Sequence, residues 1–410
     1  MIAGEDVNQT NGTLLAARGT PLDDSHIRAM RAFGVHDVDV VSEEPEDALD
    51  ETAARFAATE ARCRELLRCR FAALDLQTPF GETVFTLAVR RAAARVLAEG
   101  LDLDDIQEST ALFLPPEELL FASKSIDPAS LVSGKVELAT LPEVYTRLLA
   151  ALQSEKTSAQ ELAAIIGQDP SLAAKLLKLV NSPAYASRLP IDTIGRAVSM
   201  VGQKELLTLV LGLAACNAFS DIAPEVCDMR AFWRHASACG VYANLLAAAC
   251  PGTAPDRVFV GGLLHDIGQL VILRKLPAAA GRALLLSRVE GLPMSEAETA
   301  VLGFDHTAVG RALVGSWHFP PSLTAMIADH HLPDGRPEAR ETALVHIADI
   351  LATAWVWPAF SGPPVPALCE AAWRSAGLSE SLLVDIAAAG DARISDIESV
   401  FFSNTACPSR

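Results

Sequence analysis

The chain has 410 residues, with 33 basic against 51 acidic side chains and a formal charge of −18, so its surface repels phosphate backbones. No run of lysine and arginine offsets that balance, which excludes general nucleic-acid binding as the expected role. Half of the residues are hydrophobic but only 6% are aromatic, and alanine and leucine dominate, which favours helices packed on helices.

The first forty residues read as a small mixed module. Asn11-Gly12 lies between Val7 and Leu14-Leu15 as a two-residue hairpin turn would. Asp23 or Asp24 can cap a helix running to Phe33, Gly34 can end it, and Val38 and Val40 alternate like a strand. From Leu49 the period changes. Leu49, Ala53, Phe56, Glu60, Cys63 and Leu67 alternate in steps of four and three, the spacing of a helix docked on its own domain or of a dimerising seam. Pro79 and Gly81 break that pattern, and a second helix is expected to reach Ala98 with Gly100 as its stop. Residues 123–135 read as a linker.

Beyond the linker the chain is a string of helices. Ser158 and Glu161 form a capping-box pattern, and Asp169-Pro170 opens a further helix that Asn181-Ser182-Pro183 closes. Asp192 is expected to cap the next. Helices at 159–166 and 171–180 have helix-turn-helix proportions. The second offers mainly Lys175 and Lys178, too little to read bases, so helix packing is the preferred reading. The nearly apolar stretch Leu206–Phe219 is short for a membrane span and is expected as a buried core helix. There is no basic-then-apolar leader pattern at the start, and the eight cysteines form no CxxC pair. A cytoplasmic protein with free thiols is therefore expected.

Seven of the nine histidines fall between His235 and His346. Five segments expected to be helical each bring imidazole or carboxylate: FWRHASA (His235), GLLHDIG (His265, Asp266), FDHTAVG (Asp305, His306), MIADHHLPDG (Asp329, His330, His331) and LVHIADI (His346, Asp349). All sit in apolar surroundings, where unpaired charge is costly. A divalent metal would satisfy several at once, and imidazole with carboxylate suits iron, manganese, zinc or nickel. His318 precedes two prolines, is expected in a loop and is left out of the set.

An early histidine, a His-Asp doublet and a late aspartate resemble the HD superfamily. The stretches LATLPEVYTRLL and QDPSLAAKLLKLVNSPAY, followed by FWRHASA, GGLLHDIGQL and HIADILA, are similar to the HDOD family, the HD-related output domain, over about 130–355. The resemblance implies a mainly α fold: an all-helical HD-type domain over 126–400, with a metal-site part at about 230–355. A linking or dimerising helical region at 46–125 and the mixed module at 1–45 precede it.

It also implies a bacterial signal-transduction output protein that binds a protein partner or small ligand without catalysis. The alternative is a metal-dependent phosphohydrolase like the HD-GYP phosphodiesterases, which hydrolyse cyclic di-GMP. Carrying the HD-GYP metal pattern across gives His235, His265, Asp266, His306, His330, His331 and Asp349 as ligands for one or two divalent ions. No nucleic-acid or membrane partner is expected, and residues 46–70 are the expected homodimer contact. Two departures stand out. Gln269 occupies the place of the HD-GYP lysine, and RPEAR (336–340) follows Asp334-Gly335 where glycine-tyrosine-proline should be.

Overall fold

The computed structural model describes residues 46–103, 126–132, 157–181, 191–217, 227–333, 339–356 and 362–402, with single residues or short pieces between and before them. Helices dominate these residues. The mixed module expected at 1–45 is not borne out as a folded unit. Its described residues form four strands of two or three residues: β1 (Ile2–Ala3), β2 (Val7–Asn8), β3 (Leu14–Ala16) and β4 (Val40–Val41). They join in two separate antiparallel pairs, β1 with β4 and β2 with β3. Among the described residues Val7 and Ala16 are the buried apolar side chains of these pairs, and an isolated two-stranded pair this short is marginal on its own. The Asn11-Gly12 turn and nearly all of the helix expected at 23–33 lie outside the described residues.

Helix α1 (Glu46–Leu67) carries the seven-residue seam unevenly. Ala53 is exposed and Phe56 half-buried, whereas Cys63 and Leu67 are sealed in the core. The far end of α1 therefore docks on its own chain. A 3₁₀ turn (Arg68–Phe71) leads to α2 (Pro79–Glu99). Thr78 Oγ1 accepts from the Gly81 amide, Pro79 takes the first helical position, and Gly100 ends the helix at φ 64°. The buried face of α2 packs on the two long helices at Arg340–Trp355 and Glu380–Phe402.

After a short helix α3 (Pro128–Val132) come α4 (Ala159–Ile166), α5 (Pro170–Val180), α6 (Ile194–Val201) and α7 (Gln203–Asn217). The capping box at Ser158 and Glu161 forms, and Asp169 Oδ1 accepts from the Leu172 amide at 3.0 Å. Asp192 does not cap α6. Thr193 does, its hydroxyl accepting from the Arg196 amide at 3.2 Å, because it stands one residue closer to the first turn. The Asn181 side chain spans the chain's return, accepting from Ile191 N and donating to Ile191 O, both at 2.7 Å. The apolar faces of α4 and α5 are buried against α6 and α7, so this helix pair is packed into the domain.

The second half is built around α8 (Met229–Ala248), which packs on α9 (Pro255–Leu264), α15 (Arg340–Trp355) and α17 (Glu380–Phe402). Between them run α10 (Ile267–Lys275), α11 (Pro277–Glu290), α12 (Met294–Leu302), α13 (His306–Ser316), α14 (Pro321–Ala328) and α16 (Glu370–Ala376). No described helix is long and apolar enough to cross a membrane.

Two glycines of GGLLHDIG set the approach of helices that carry the histidines. A Cβ on Gly262 would stand 2.9 Å from the Cys239 carbonyl, so α9 crosses α8 backbone to backbone. A Cβ on Gly268 would fall on the His306 carbonyl oxygen and lie 2.7 Å from the Gly310 nitrogen. Neither obstacle is a flexible side chain. Gly268→Ala should therefore force α10 and α13 apart and cost at least about 3 kcal/mol, at the upper end for overpacking a core. Thermal unfolding of the variant checks this, and a wild-type melting temperature would refute it.

Candidate metal centre

The His-Asp doublet does not lie within a helix, as its sequence suggests, but in the break between α9 and α10. His265 closes α9 and Asp266 opens α10. His265 keeps helical backbone angles and Asp266 departs from them at φ −94°, ψ 11°, and both side chains reach one point. His265 Nε2 lies 3.3 Å from Asp266 Oδ2.

All seven predicted residues meet there. His235 Nε2, from α8, stands 3.3 Å from His265 Nε2 and 3.2 Å from Asp349 Oδ1 of α15. Asp266 Oδ2 is 3.8 Å from His235 Nε2, while its other oxygen, Oδ1, is 3.0 Å from His306 Nε2 and 3.8 Å from His330 Nε2. His331 Nε2 lies 2.9 Å from His306 Nε2. Three trios have ligand atoms within 4.8 Å of one another: His306, His330 and His331; His235, His265 and Asp266; His265, His330 and Asp349. These His/Asp groups are able to hold a metal ion. Asp266 touches both ends of the cluster through opposite oxygens.

The local fold aims each imidazole. A helix leaves its last carbonyls without intrahelical partners. His265 Nδ1 donates to one of them, Gly262 O, at 2.7 Å, and His330 Nδ1 donates to Ile327 O at 3.0 Å. A carbonyl can only accept, so the proton sits on Nδ1 and Nε2 faces the cluster. His330 Nε2 is buried and makes no hydrogen bond among the described residues, an orphaned acceptor within the cluster.

The remaining acid and imidazole groups play other parts. His346 is not in the cluster. Its Nδ1 donates to His330 O at 2.7 Å and its Nε2 accepts from the Cys369 amide at 2.9 Å, so it braces the backbone behind His330. Asp305 caps α13. Asp329 pairs with Arg311 on the surface, and His318 sits exposed in a turn.

Sequence reasoning missed Glu298. This carboxylate is 1% exposed and its Oε2 accepts from both the His306 amide, at 2.8 Å, and His306 Nδ1, at 2.6 Å. It fixes the ring so that Nε2 points to Asp266, the carboxylate–histidine arrangement common behind metal ligands. The available signal was its place four residues before Leu302 on the buried side of α12. Glu298→Gln keeps the shape but weakens this hold, and metal affinity should fall about 10–100-fold. Competition titration with a chelating dye measures it, and an unchanged affinity would deny Glu298 the role.

Burial opposes charge on every group here, yet the outcomes divide. Asp266 and Asp349 are nonetheless held well below the usual carboxylate range, Asp266 by His265 and His306 and Asp349 by His235 and His265. His265 and His306 are raised well above an ordinary imidazole, His265 chiefly by Asp266 and His306 by Glu298 and Asp266. For His330, burial and the neighbouring His331, His265 and His306 act together and push it well down. Burial, then His306, takes His331 down to about 4.

Above the cluster opens a cavity of about 450 Å³, bounded by α8, α10, α11, α12 and the segment 363–366. Gln269 lines it.

An early histidine, a His-Asp doublet and a late aspartate converging inside a helical bundle define an HD-type domain. Residues 138–333 match the HDOD domain family. Three solved structures share the fold. One is a Shewanella amazonensis SB2B protein described as a candidate phosphohydrolase: 25% identical, TM-score 0.54, 67% of this chain and 98% of that one. Another is an HDOD domain protein of unknown function from Geobacter sulfurreducens: 24% identical, TM-score 0.54, with the same coverage. The third, from Marinobacter aquaeolei VT8, is described as a candidate signal transduction protein: 21% identical, TM-score 0.51, 72% of this chain and 64% of that one. An uncharacterized Treponema pallidum (strain Nichols) protein is 24% identical over 236 residues, 57% of this chain but only 45% of that longer protein.

Proposed function

We propose that the chain is a signalling output module that holds one or two divalent transition-metal ions at the His/Asp floor. In this reading it binds a ligand in the cavity above and acts as a regulator, not a catalyst. The observation that carries the metal is Asp266, whose two oxygens face different imidazole groups. The orphaned Nε2 of His330 fits the same reading. His235, His265, Asp266 and Asp349 would hold one ion, and Asp266, His306, His330 and His331 the other. The donors are nitrogen and oxygen throughout, which suits iron, manganese, zinc or nickel. Bound there, such ions supply positive charge that fixes an anionic group and, in hydrolases, acidifies water.

The chain's own residues do the rest. Glu298, Gly262 O and Ile327 O orient the rings, and the apolar walls exclude water. Gln269 argues for regulation over turnover. It lines the cavity as a neutral amide where the HD-GYP enzymes have lysine. A hydrolase remains the second reading because a carboxylate between two ion positions is the arrangement of two-metal phosphoryl chemistry. Metal-loaded protein incubated with cyclic dinucleotides and bis(4-nitrophenyl) phosphate should release no more product than the metal-free control. Turnover that His265→Ala abolishes would overturn the regulatory reading.

A further inference from the structure

The cavity walls are chemically unlike its floor. The floor is the His/Asp cluster. The walls are carbon: Phe232 from α8, Ile272 and Leu273 from α10, Leu284 from α11 and Met294 at the start of α12. Pro363, Pro364 and Pro366 close a further side. The polar groups among the walls are mostly occupied. Ser287 Oγ donates to Leu292 O at 2.6 Å, and Asp228 accepts from the Arg230 and Ala231 amides. Apart from the histidines of the floor, Arg288 is the one basic side chain among the described lining residues, and it is exposed on α11. Leu284, one turn away on the same helix, is 41% exposed, a large apolar side chain left in water.

This division points to an amphiphile. We infer that the cavity binds a small molecule with one acidic head, carboxylate or phosphate ester, and an unbranched or aromatic apolar body. The head is held at the ion-bearing floor, a placement that rests on the metal reading above. The body lies along Phe232, Leu273, Leu284 and Met294. A volume of about 450 Å³ is in the ordinary range for a single small ligand. A cyclic dinucleotide fits these walls poorly. Its two phosphodiesters and its ring edges call for several charged and polar partners, and the described walls offer one arginine and one amide.

Calorimetric titration of the full-length, metal-loaded protein tests the inference. The probes are decanoate and decyl phosphate below micelle formation, decanol without the head, acetate and inorganic phosphate without the body, and cyclic di-GMP. Decanoate or decyl phosphate should bind at least a hundredfold more tightly than its headgroup analogue, since every two methylenes buried give about tenfold. The preferred head tells carboxylate from phosphate. Leu284→Glu should weaken binding at least tenfold with metal content unchanged, and Leu284→Met should restore it. Equal binding of phosphate and decyl phosphate, tighter binding of cyclic di-GMP, or indifference to Leu284→Glu would each overturn the inference. Metal content measured on the same samples separates the two ideas. Amphiphile binding to protein that takes up no metal sinks only the metal reading, and metal-loaded protein that ignores the amphiphiles sinks only this one.

Discussion

Asp266→Ala should leave the protein unable to retain metal at either end of the cluster. Asp266 faces His235 and His265 with Oδ2 and His306 and His330 with Oδ1, so both ends lose a carboxylate oxygen. Its loss also removes the counter-charge that holds the His265 and His306 protons in place. These imidazoles can shed their protons and go neutral. The cost to the metal-free fold should therefore stay near 1–3 kcal/mol, below the penalty for stranding a permanent charge. Elemental analysis after dialysis should find under about a tenth of the wild-type metal. Asp349→Ala, whose ion-pair partners in the cluster are His235 and His265, should spare an ion held at His306 and His331. Wild-type metal content in Asp266→Ala would mean that the cluster is not the site.

Arg70→Met should be strongly destabilising although it lies outside the cluster. Arg70 is 5% exposed, and its guanidinium donates to Thr353 O at 2.7 Å and Pro363 O at 3.0 Å. Its own carbonyl accepts from the Val365 amide at 2.6 Å. Burial lowers its pKa to about 10, so the side chain stays charged at neutral pH. Methionine fills the space but leaves two carbonyls without their donor, costing about 3 kcal/mol.

The consequence reaches further than stability. Thr353 donates to Asp349 Oδ1 at 3.2 Å, and Pro363 is cavity wall, so Arg70 ties the turn after α1 to both. Trp355 Nε1, donating to Val84 O at 3.1 Å, is a second tie between α15 and α2. Arg70→Met should lower the melting temperature and also weaken metal binding. Arg70→Lys should recover part of both, because an ammonium can keep one of the two bonds. A variant with wild-type melting and wild-type metal affinity would show the strut to be dispensable.

These two residues mark what was and was not legible in the sequence. Asp266 was legible because its chemistry is local. A charged doublet in an apolar run needs a partner, and four other segments carried matching groups. The helices were equally readable from capping at Ser158 and Asp169 and from the stop at Gly100. Arg70 was not. Its acceptors are backbone carbonyls 283 and 293 residues away, and a carbonyl leaves no trace in residue identity. Glu298 was hidden because one glutamate in a short helix reads as solvated until the helix is seen to turn that face inward. Asp192 lost the cap to Thr193 for a reason of register, since both types serve and only the position of the first turn decides. The break at His265-Asp266 was harder to read: Asp266 is a cap-type residue but makes no side-chain cap bond, and no proline marks the stop.

The most direct test of the central claim is elemental analysis of the full-length protein purified without chelator, followed by titration of stripped protein with cobalt(II). The cluster predicts one or two transition-metal ions per chain and visible-range absorption from histidine-bound cobalt that Asp266→Ala eliminates. Correctly folded protein that carries no metal and takes up no cobalt, iron, manganese, zinc or nickel would contradict it.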